Sequence, residues 1–394
     1  MARISLPPLS GGMLEARHSG IREISGLALQ TPGAIRLEIG QPDFRTPDHI
    51  GQAAKDAIDE GYTYYTPTQG PISLRQKLAA KLERVNRLEV GPANIAIGPG
   101  GVGAMAAALI ALVEPGDEVL LPDPCWPNYF QMCALARVTP TFYPCPPEAG
   151  FRPDLEQMEA AITARTKVVV VNSPHNPTGV VYSRETLETI GAIAQRHGIW
   201  VISDECYDQI TLEADTPSTH SFASTLDDGR VISIYTFSKT YAMTGWRLGY
   251  MAAPPDVVDS ATKVLEGSSS CVNSLSLRAA EAALDGPQDC VSEMVDAYRR
   301  RRAITVDLLR EAGLLITVPQ GGFFVVADIS ASGLESRDFA IRLLKERKVA
   351  VAPGSAFGKV AHSGVRISMA SSDTDLREGI GRLAEFVKEL EAAR

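Results

Sequence analysis

Short apolar runs recur through the middle of the chain at residues 94–97, 118–121, 167–171, 200–202 and 231–235, and helix-spaced or turn-rich sequence separates them. A strand that is apolar at consecutive positions has no face to show to water. A series of such strands alternating with helices predicts a parallel sheet covered on both sides. Residues 1–45 have a different character, rich in Pro and Gly with a brief strand-like piece at 35–39, and read as an arm leading into the fold. Past the Pro254–Pro255 turn the spacing predicts a long polar helix over 281–312, which reads as a crossing between domains. Beyond it, strands near 322–329 and 364–369 alternate with helices, and the chain closes with an amphipathic helix over 376–393.

A length of 394 residues exceeds one ordinary core, since domains run to about 100–200 residues, so two domains are expected. With 45% hydrophobic and 22% charged residues the composition is that of a globular protein. The net charge of −9 argues against a surface that neutralises nucleic-acid phosphates and favours small-molecule chemistry. Cys125, Cys133, Cys145, Cys206, Cys271 and Cys290 form no CxxC pair, so neither a zinc site nor a disulfide framework is expected. No apolar stretch approaches the ~20 residues that span a bilayer, and the opening MARISLPPLSGG lacks a signal peptide's apolar run. A cytoplasmic protein with no membrane partner is the expectation.

Residues 98–103 read GPGGVG, a literal G-x-G-x-x-G that follows an apolar strand, opens an Ala-rich helix and precedes Asp123 at the end of the next strand. These are the local elements of a dinucleotide-binding fingerprint. Their physical content is broader, because glycines ahead of a helix expose backbone N–H groups to any anion, a phosphate above all. A tight strand-to-helix turn without a ligand is the plain alternative.

Four further segments carry chemistry. In 172-NSPHNPTG-179 an Asn-Pro turn ends a strand, where ligand-binding loops gather. In 201-VISDECYDQI-210, Asp204 and Tyr207 close an apolar strand; a carboxylate there could keep a ring nitrogen protonated, and capping or rim positions are the alternative. In 236-TFSKTYAMTGWRLGY-250, Lys239 lies between hydroxyl residues and Arg247 follows eight residues later. A lysine attacks a carbonyl only as the neutral amine, and a buried, cation-rich site lowers its pKa, while Thr236, Ser238 and Arg247 suit a phosphate. In 364-GVRISMA-370, Arg366 sits inside an apolar strand, which is costly without a partner; a substrate carboxylate and an internal Asp or Glu are the two candidates.

Together these strings resemble the class I/II aminotransferases of the fold-type-I pyridoxal-phosphate enzymes, in order over nearly the whole chain. The resemblance implies a large α/β domain, its mostly parallel seven-stranded sheet sandwiched by helices, and a smaller α+β domain. It divides the chain into 1–45, an arm and part of the small domain; 46–285, the large pyridoxal-phosphate-binding domain; and 286–394, the small domain. It implies pyridoxal 5′-phosphate as cofactor, bound as a Schiff base of Lys239, which would also shuttle the Cα proton. Asp204 would pair with the ring nitrogen, Asn176 and Tyr207 with the phenolic oxygen, and Trp126, in 122-PDPCWPNY-129, would stack on the ring. The phosphate would be held by the N–H groups of Gly101 and Val102, by Thr236, Ser238 and Arg247, and by Tyr65 of a neighbouring subunit, so a homodimer is expected. Tyr64, adjacent in 64-YYTPTQG-70, could serve instead. Gly40, in 38-EIGQPDF-44, and Arg366 would receive the substrate carboxylate. Some aspartate-using relatives carry a basic residue where this chain has Val102, which weakens the case for a dicarboxylic substrate.

The resulting expectation is an enzyme moving an amino group from an amino acid to a 2-oxo acid by a ping-pong cycle. Elimination, cyclisation or decarboxylation on the same cofactor are rivals, because a shared fold and cofactor do not fix the outcome. A nicotinamide dehydrogenase built on GPGGVG is a second rival. A regulatory protein using the fold as a sensor is a third, disfavoured because the sequence before residue 46 has no helix-turn-helix pattern. Residues 9–24 and 268–273 are the segments named as lining a specificity pocket.

Overall fold

A computed structural model of the protein describes residues 11, 19–213, 221–225 and 229–394. Its centre is a seven-stranded sheet. From one edge to the other the strands are Ile95–Pro99, Leu248–Ala252, Val231–Thr236, Trp200–Asp204, Thr166–Asn172, Glu118–Asp123 and Thr139–Pro144. All run parallel except Leu248–Ala252, which is antiparallel to both neighbours. Side chains alternate between the faces, as the pleat requires. Val168, Val170 and Ile202 join Met105, Leu109 and Leu265 in the core under the helices Gly100–Leu112 and Pro255–Ser269. Val169, Val171 and Val201 join Leu187, Ile190 and Ile193 of the helix Arg184–His197 on the other face. Ser183 starts that helix by accepting the Thr186 N–H, and Gly198, in the left-handed conformation, ends it.

Two strands escape the reading of apolar runs. Thr139–Pro144 is an edge strand with two prolines and a 41% exposed Phe142, so it has little apolar pattern. Leu248–Ala252 is five residues long, contains Gly249 and follows directly on the Arg247 motif. The expected helix over 281–312 is two helices, Ser274–Asp285 and Asp289–Glu311. Pro287 cannot donate to the ladder, and a Cβ on Gly286 would sit 2.5 Å from His49, so the chain bends there. The Gln288 amide closes the bend by donating to the carbonyls of Ala283 and Gly286.

A second sheet, antiparallel, orders Ala352–Pro353, Gly364–Ser368 and Phe324–Asp328, and Ile35–Arg36 pairs parallel with Val349–Ala350. Ile24, Ala28 and Leu37 share one core with Leu309, Phe339, Ile367, Leu383 and Phe386, so the N-terminal helix Gly20–Leu29 packs with residues far along the chain. No helix among the described residues is long and apolar enough to cross a membrane.

Behind the central sheet Lys81 and Asp208 form an ion pair at 2.5 Å, their side chains 7% and 4% exposed, with Asn86 bonded to both. Removing one member leaves the other charge buried and uncompensated. Asp208→Ala is expected to destabilise the fold by about 3–5 kcal/mol in urea unfolding, whereas the double change Lys81→Met with Asp208→Leu should recover most of that loss.

Candidate active site

Sheet register decides what meets. Asn172 pairs with Asp204, Asp204 with Ile234, and Thr236 with Gly249, so three chain segments leave the sheet at the same carboxyl edge. The helix Gly100–Leu112 begins there too, directly after Pro99. Ligands of open α/β sheets collect at this edge, and a cavity of ≈ 510 Å³ opens on it. Every residue given a cofactor or substrate role from the sequence lines this cavity except Tyr65 and its alternative Tyr64.

Lys239 lies in the short helix Phe237–Thr240, which Thr236 caps by accepting the Ser238 N–H. Its Nζ donates to the Gly40 carbonyl at 2.6 Å. Burial pushes its pKa down to about 8; the positive charges of Arg366 and Arg247 push the same way and Asp204 opposes them. A fraction of the amine is therefore neutral at physiological pH.

Asp204 is buried, its Oδ2 accepting from the Tyr129 hydroxyl at 2.6 Å and its Oδ1 from the Cys206 N–H at 3.2 Å. Burial and the adjacent carboxylate hold the Tyr129 phenol well above its usual pKa, so it stays a donor. Asn172 braces the same edge: its side chain donates to the Asp204 carbonyl at 2.9 Å and accepts the Asn176 N–H at 2.8 Å. His175 is fully enclosed, and burial lowers its pKa to about 4, so it is neutral. Its Nε2 donates to the Pro124 carbonyl and its Nδ1 accepts from Thr178, joining this turn to the segment that carries Trp126. Trp126 itself lines the cavity edge-on to Tyr129.

Arg366 is 2% exposed. It donates to the Asn176 side-chain oxygen at 3.0 Å and to the Glu38 carbonyl, and its guanidinium lies 4.1 Å from the Phe324 ring centroid. Its Nε has no partner and no carboxylate pairs with it among the described residues. Burial lowers its pKa to about 10, which still leaves it charged at neutral pH. Of the two partners considered from sequence, the internal carboxylate is not there among the described residues.

At the other end of the cavity the Gly100–Leu112 helix presents its first N–H groups beside Ser238 and Arg247. The approach is tight. A Cβ on Gly100, whose φ is +78°, would meet Arg247 Nη2 at 2.5 Å, and one on Gly249 would meet Gly101 N at 2.3 Å. The Thr236 hydroxyl donates to the Leu248 carbonyl, so in this geometry it braces the helix cap. Asp123, the acid of the dinucleotide reading, has its carboxylate engaged by the N–H groups of Lys359 and Val360.

Tyr65 and Tyr64 are 91% and 83% exposed and stand outside the cavity of their own chain. The segment 268–273 is likewise absent from the lining; it precedes Ser274, whose hydroxyl donates to the Tyr62 carbonyl beside those tyrosines. Of residues 9–24, Ser19, Ile21 and Arg22 line the mouth, whereas 9, 10 and 12–18 lie outside the described residues. Tyr129, Asn172 and His175 were missed as functional residues. All three lie inside strings quoted for other residues, Tyr129 at the end of 122-PDPCWPNY-129 and the other two in 172-NSPHNPTG-179. No cluster of three or more metal-binding side chains occurs among the described residues.

The fold is that of the fold-type-I enzymes, and its cavity sets a buried lysine between the start of the Gly100–Leu112 helix and a buried arginine. The family model for aminotransferase class I and II matches residues 32–383. The aspartate/prephenate aminotransferase of Cereibacter sphaeroides is 39% identical over 373 residues, 91% of this chain and 92% of that protein. Aromatic-amino-acid aminotransferase 2 of Thermococcus litoralis is 37% identical, covering 94% and 96%. The solved aspartate aminotransferase of Thermus thermophilus with maleate aligns at a TM-score of 0.91 and 34% identity, over 97% of this chain and 100% of that one. The chain belongs to the class I and II aminotransferases, pyridoxal-phosphate enzymes of amino-group transfer.

The Lys239 pKa gives a direct expectation. The rate at which the cofactor-free protein condenses with pyridoxal phosphate should rise about tenfold per pH unit and level off near pH 8, where an unshifted lysine would rise to about pH 10. Stopped-flow absorbance across pH 6–10 measures it, and Arg366→Met should move the bend to higher pH by removing a positive charge.

Proposed function

We propose that the enzyme moves an amino group from an amino acid to a 2-oxo acid in two half-reactions at this one cavity, with pyridoxal 5′-phosphate attached through Lys239 Nζ. One observation carries the reading: a buried lysine with a lowered pKa, a buried carboxylate and a buried arginine lacking a carboxylate converge on the same cavity. The donor set suits the cofactor, with N–H groups of Gly101 and Val102, the Ser238 hydroxyl and Arg247 for its phosphate, Asp204 for its ring nitrogen and Trp126 against its ring. When bound, the cofactor supplies an aldehyde and an electron-withdrawing ring that stabilises negative charge at the substrate Cα.

The protein's own groups do the rest. Arg366, held by Asn176 and the Phe324 ring, receives the substrate α-carboxylate as a bidentate pair and so turns Cα toward Lys239. Lys239, freed as the neutral amine, would take the Cα proton and deliver it to the cofactor's C4′ on the same face. Asp204 holds the ring-nitrogen proton, and Tyr129 and the Cys206 N–H fix the carboxylate in place. Asn176 and Tyr207 serve the phenolic oxygen. Donor and acceptor share one carboxylate site, so the first oxo acid leaves before the second enters, which is a ping-pong order. A homodimer completes the phosphate grip through Tyr65, or Tyr64, of the neighbouring subunit; the exposure of both tyrosines supports this. Six free cysteines fit a reducing cytoplasm.

The decisive experiment gives the loaded enzyme an amino acid and no acceptor. Transamination is expected to release one equivalent of 2-oxo acid per site and stop; continuous release of oxo acid with ammonia, or of carbon dioxide, would overturn it in favour of elimination or decarboxylation. Lys239→Ala should lower turnover by at least about a thousandfold, given that general acid–base and covalent roles are lost together. Tyr65→Phe is expected to raise the cofactor dissociation constant about tenfold in equilibrium titration, and Tyr64→Phe to leave it unchanged, the share of one charge-assisted hydrogen bond.

A further inference from the structure

Glu205 directly follows Asp204, is 2% exposed and does not line the cavity. Four donors converge on its carboxyl: the Ser221 hydroxyl at 3.0 Å, the Phe222 N–H at 3.1 Å, the Ser233 hydroxyl at 3.0 Å and the Tyr235 hydroxyl at 2.8 Å. Its own N–H donates to the Ile234 carbonyl at 2.9 Å. Ser233, Ile234 and Tyr235 belong to the strand Val231–Thr236, the one that delivers Thr236 and Lys239 to the site. The register between this strand and its neighbour ends at the pair Asp204–Ile234. Past that point no ladder holds the Asp204 turn against the Lys239 strand, and the Glu205 side chain takes over.

We infer that Glu205 is a positioning residue: its carboxyl clamps the turn bearing Asp204 and Tyr207 to the strand bearing Lys239, and so fixes the distance between the acid and the amine. The inference rests on the reading of the cavity as the pyridoxal-phosphate site. A rigid ring engaged at one end by Asp204 and at the other by Lys239 requires that distance to be held to a fraction of an ångström. Nothing in the catalytic cycle consumes Glu205, yet burying a carboxyl is costly and here brings four hydrogen bonds that all cross between segments.

The ionised carboxylate accepts all four donors, whereas the protonated acid donates through one oxygen, so a hydroxyl must turn from Glu205 to another partner, as Tyr235 can to Ser221 at 3.0 Å. Burial raises the Glu205 pKa to about 7, against the downward pull of its hydrogen bonds from Tyr235 and the serines. Tyr250 stacks on Tyr235, Lys81 lies 4.8 Å from the Tyr235 ring with Asp208 beside it, and Asp204 and Cys206 flank Glu205 on its own segment. The clamp is therefore complete above neutrality and weakened below it.

Glu205→Gln keeps the volume and imitates the protonated acid at every pH. Cofactor dissociation constants of wild type and variant, titrated from pH 6 to 9, should differ about tenfold above pH 8 and converge toward equality at pH 6. Circular dichroism and melting of the cofactor-free proteins should stay close. A ratio that is the same at all pH values, or no difference at any pH, would overturn the positioning role. Ser233→Ala, which removes one donor and keeps the charge, should give a smaller rise of about threefold and serves in place of Glu205→Gln if that variant does not fold; an unchanged constant there also overturns the inference. Borohydride reduction of wild type with pyridoxal phosphate, mapped by mass spectrometry, separates the two layers. Absence of an adduct on Lys239 defeats the cofactor reading, while an adduct with pH-independent variants defeats only the clamp.

Discussion

Burial makes a lysine's positive charge costly, and the lowered pKa of Lys239 is the constraint around which its surroundings are arranged. Water is kept from it by burial, and two arginines stand close enough to disfavour its charge. Arg366, 2% exposed, is itself a risk to a folded core, whereas Arg247 is exposed at the rim. One is answered by a side-chain amide oxygen, a backbone carbonyl and an aromatic face, the other by the Thr244 carbonyl at the rim. Both retain capacity for an anion that arrives from outside. Asp204 pulls the other way, and the Tyr129 hydroxyl and the Cys206 N–H hold that carboxylate in place.

Much of this was legible in the sequence, for a physical reason. Strands buried on both faces carry their signature locally, and the five runs noted at 94–97, 118–121, 167–171, 200–202 and 231–235 all fall on strands of the central sheet. Thr139–Pro144 lies at an edge where water replaces one set of neighbours, and Leu248–Ala252 has its apolar run interrupted by Gly249 directly after the polar Arg247 segment. The helix break at Gly286–Pro287 was written in the residues and was overridden by the polar spacing around it. In the site, roles were assigned from contiguous motifs, yet not every member of a quoted motif was given one. Tyr129 was not, because its partner lies 75 positions away, and Glu205 depends on Ser221, Ser233 and Tyr235, which no local pattern ties together.

The GPGGVG string shows the limit of reading a motif by its name. Its glycines do what glycines before a helix do: they let backbone come close and leave N–H groups open. Which anion belongs there is decided by what stands opposite, and Asp123 is occupied by the 359–360 backbone while Ser238, Lys239 and Arg247 face the same cavity. Function resides in that constellation, not in the loop.

The contact between Gly249 and the Gly100–Gly101 turn is backbone against backbone, without room for a single added carbon. Two surfaces so joined leave no space for a side chain, so any residue other than glycine at 249 would push the loop off the sheet. The mouth is built otherwise, from Ile21, Arg22 and Ser25 on a helix whose core partners include the strand of Arg366. Descendants of one such scaffold can drift in appetite, exchanging residues on that helix one at a time, while the anchorage beneath them stays frozen.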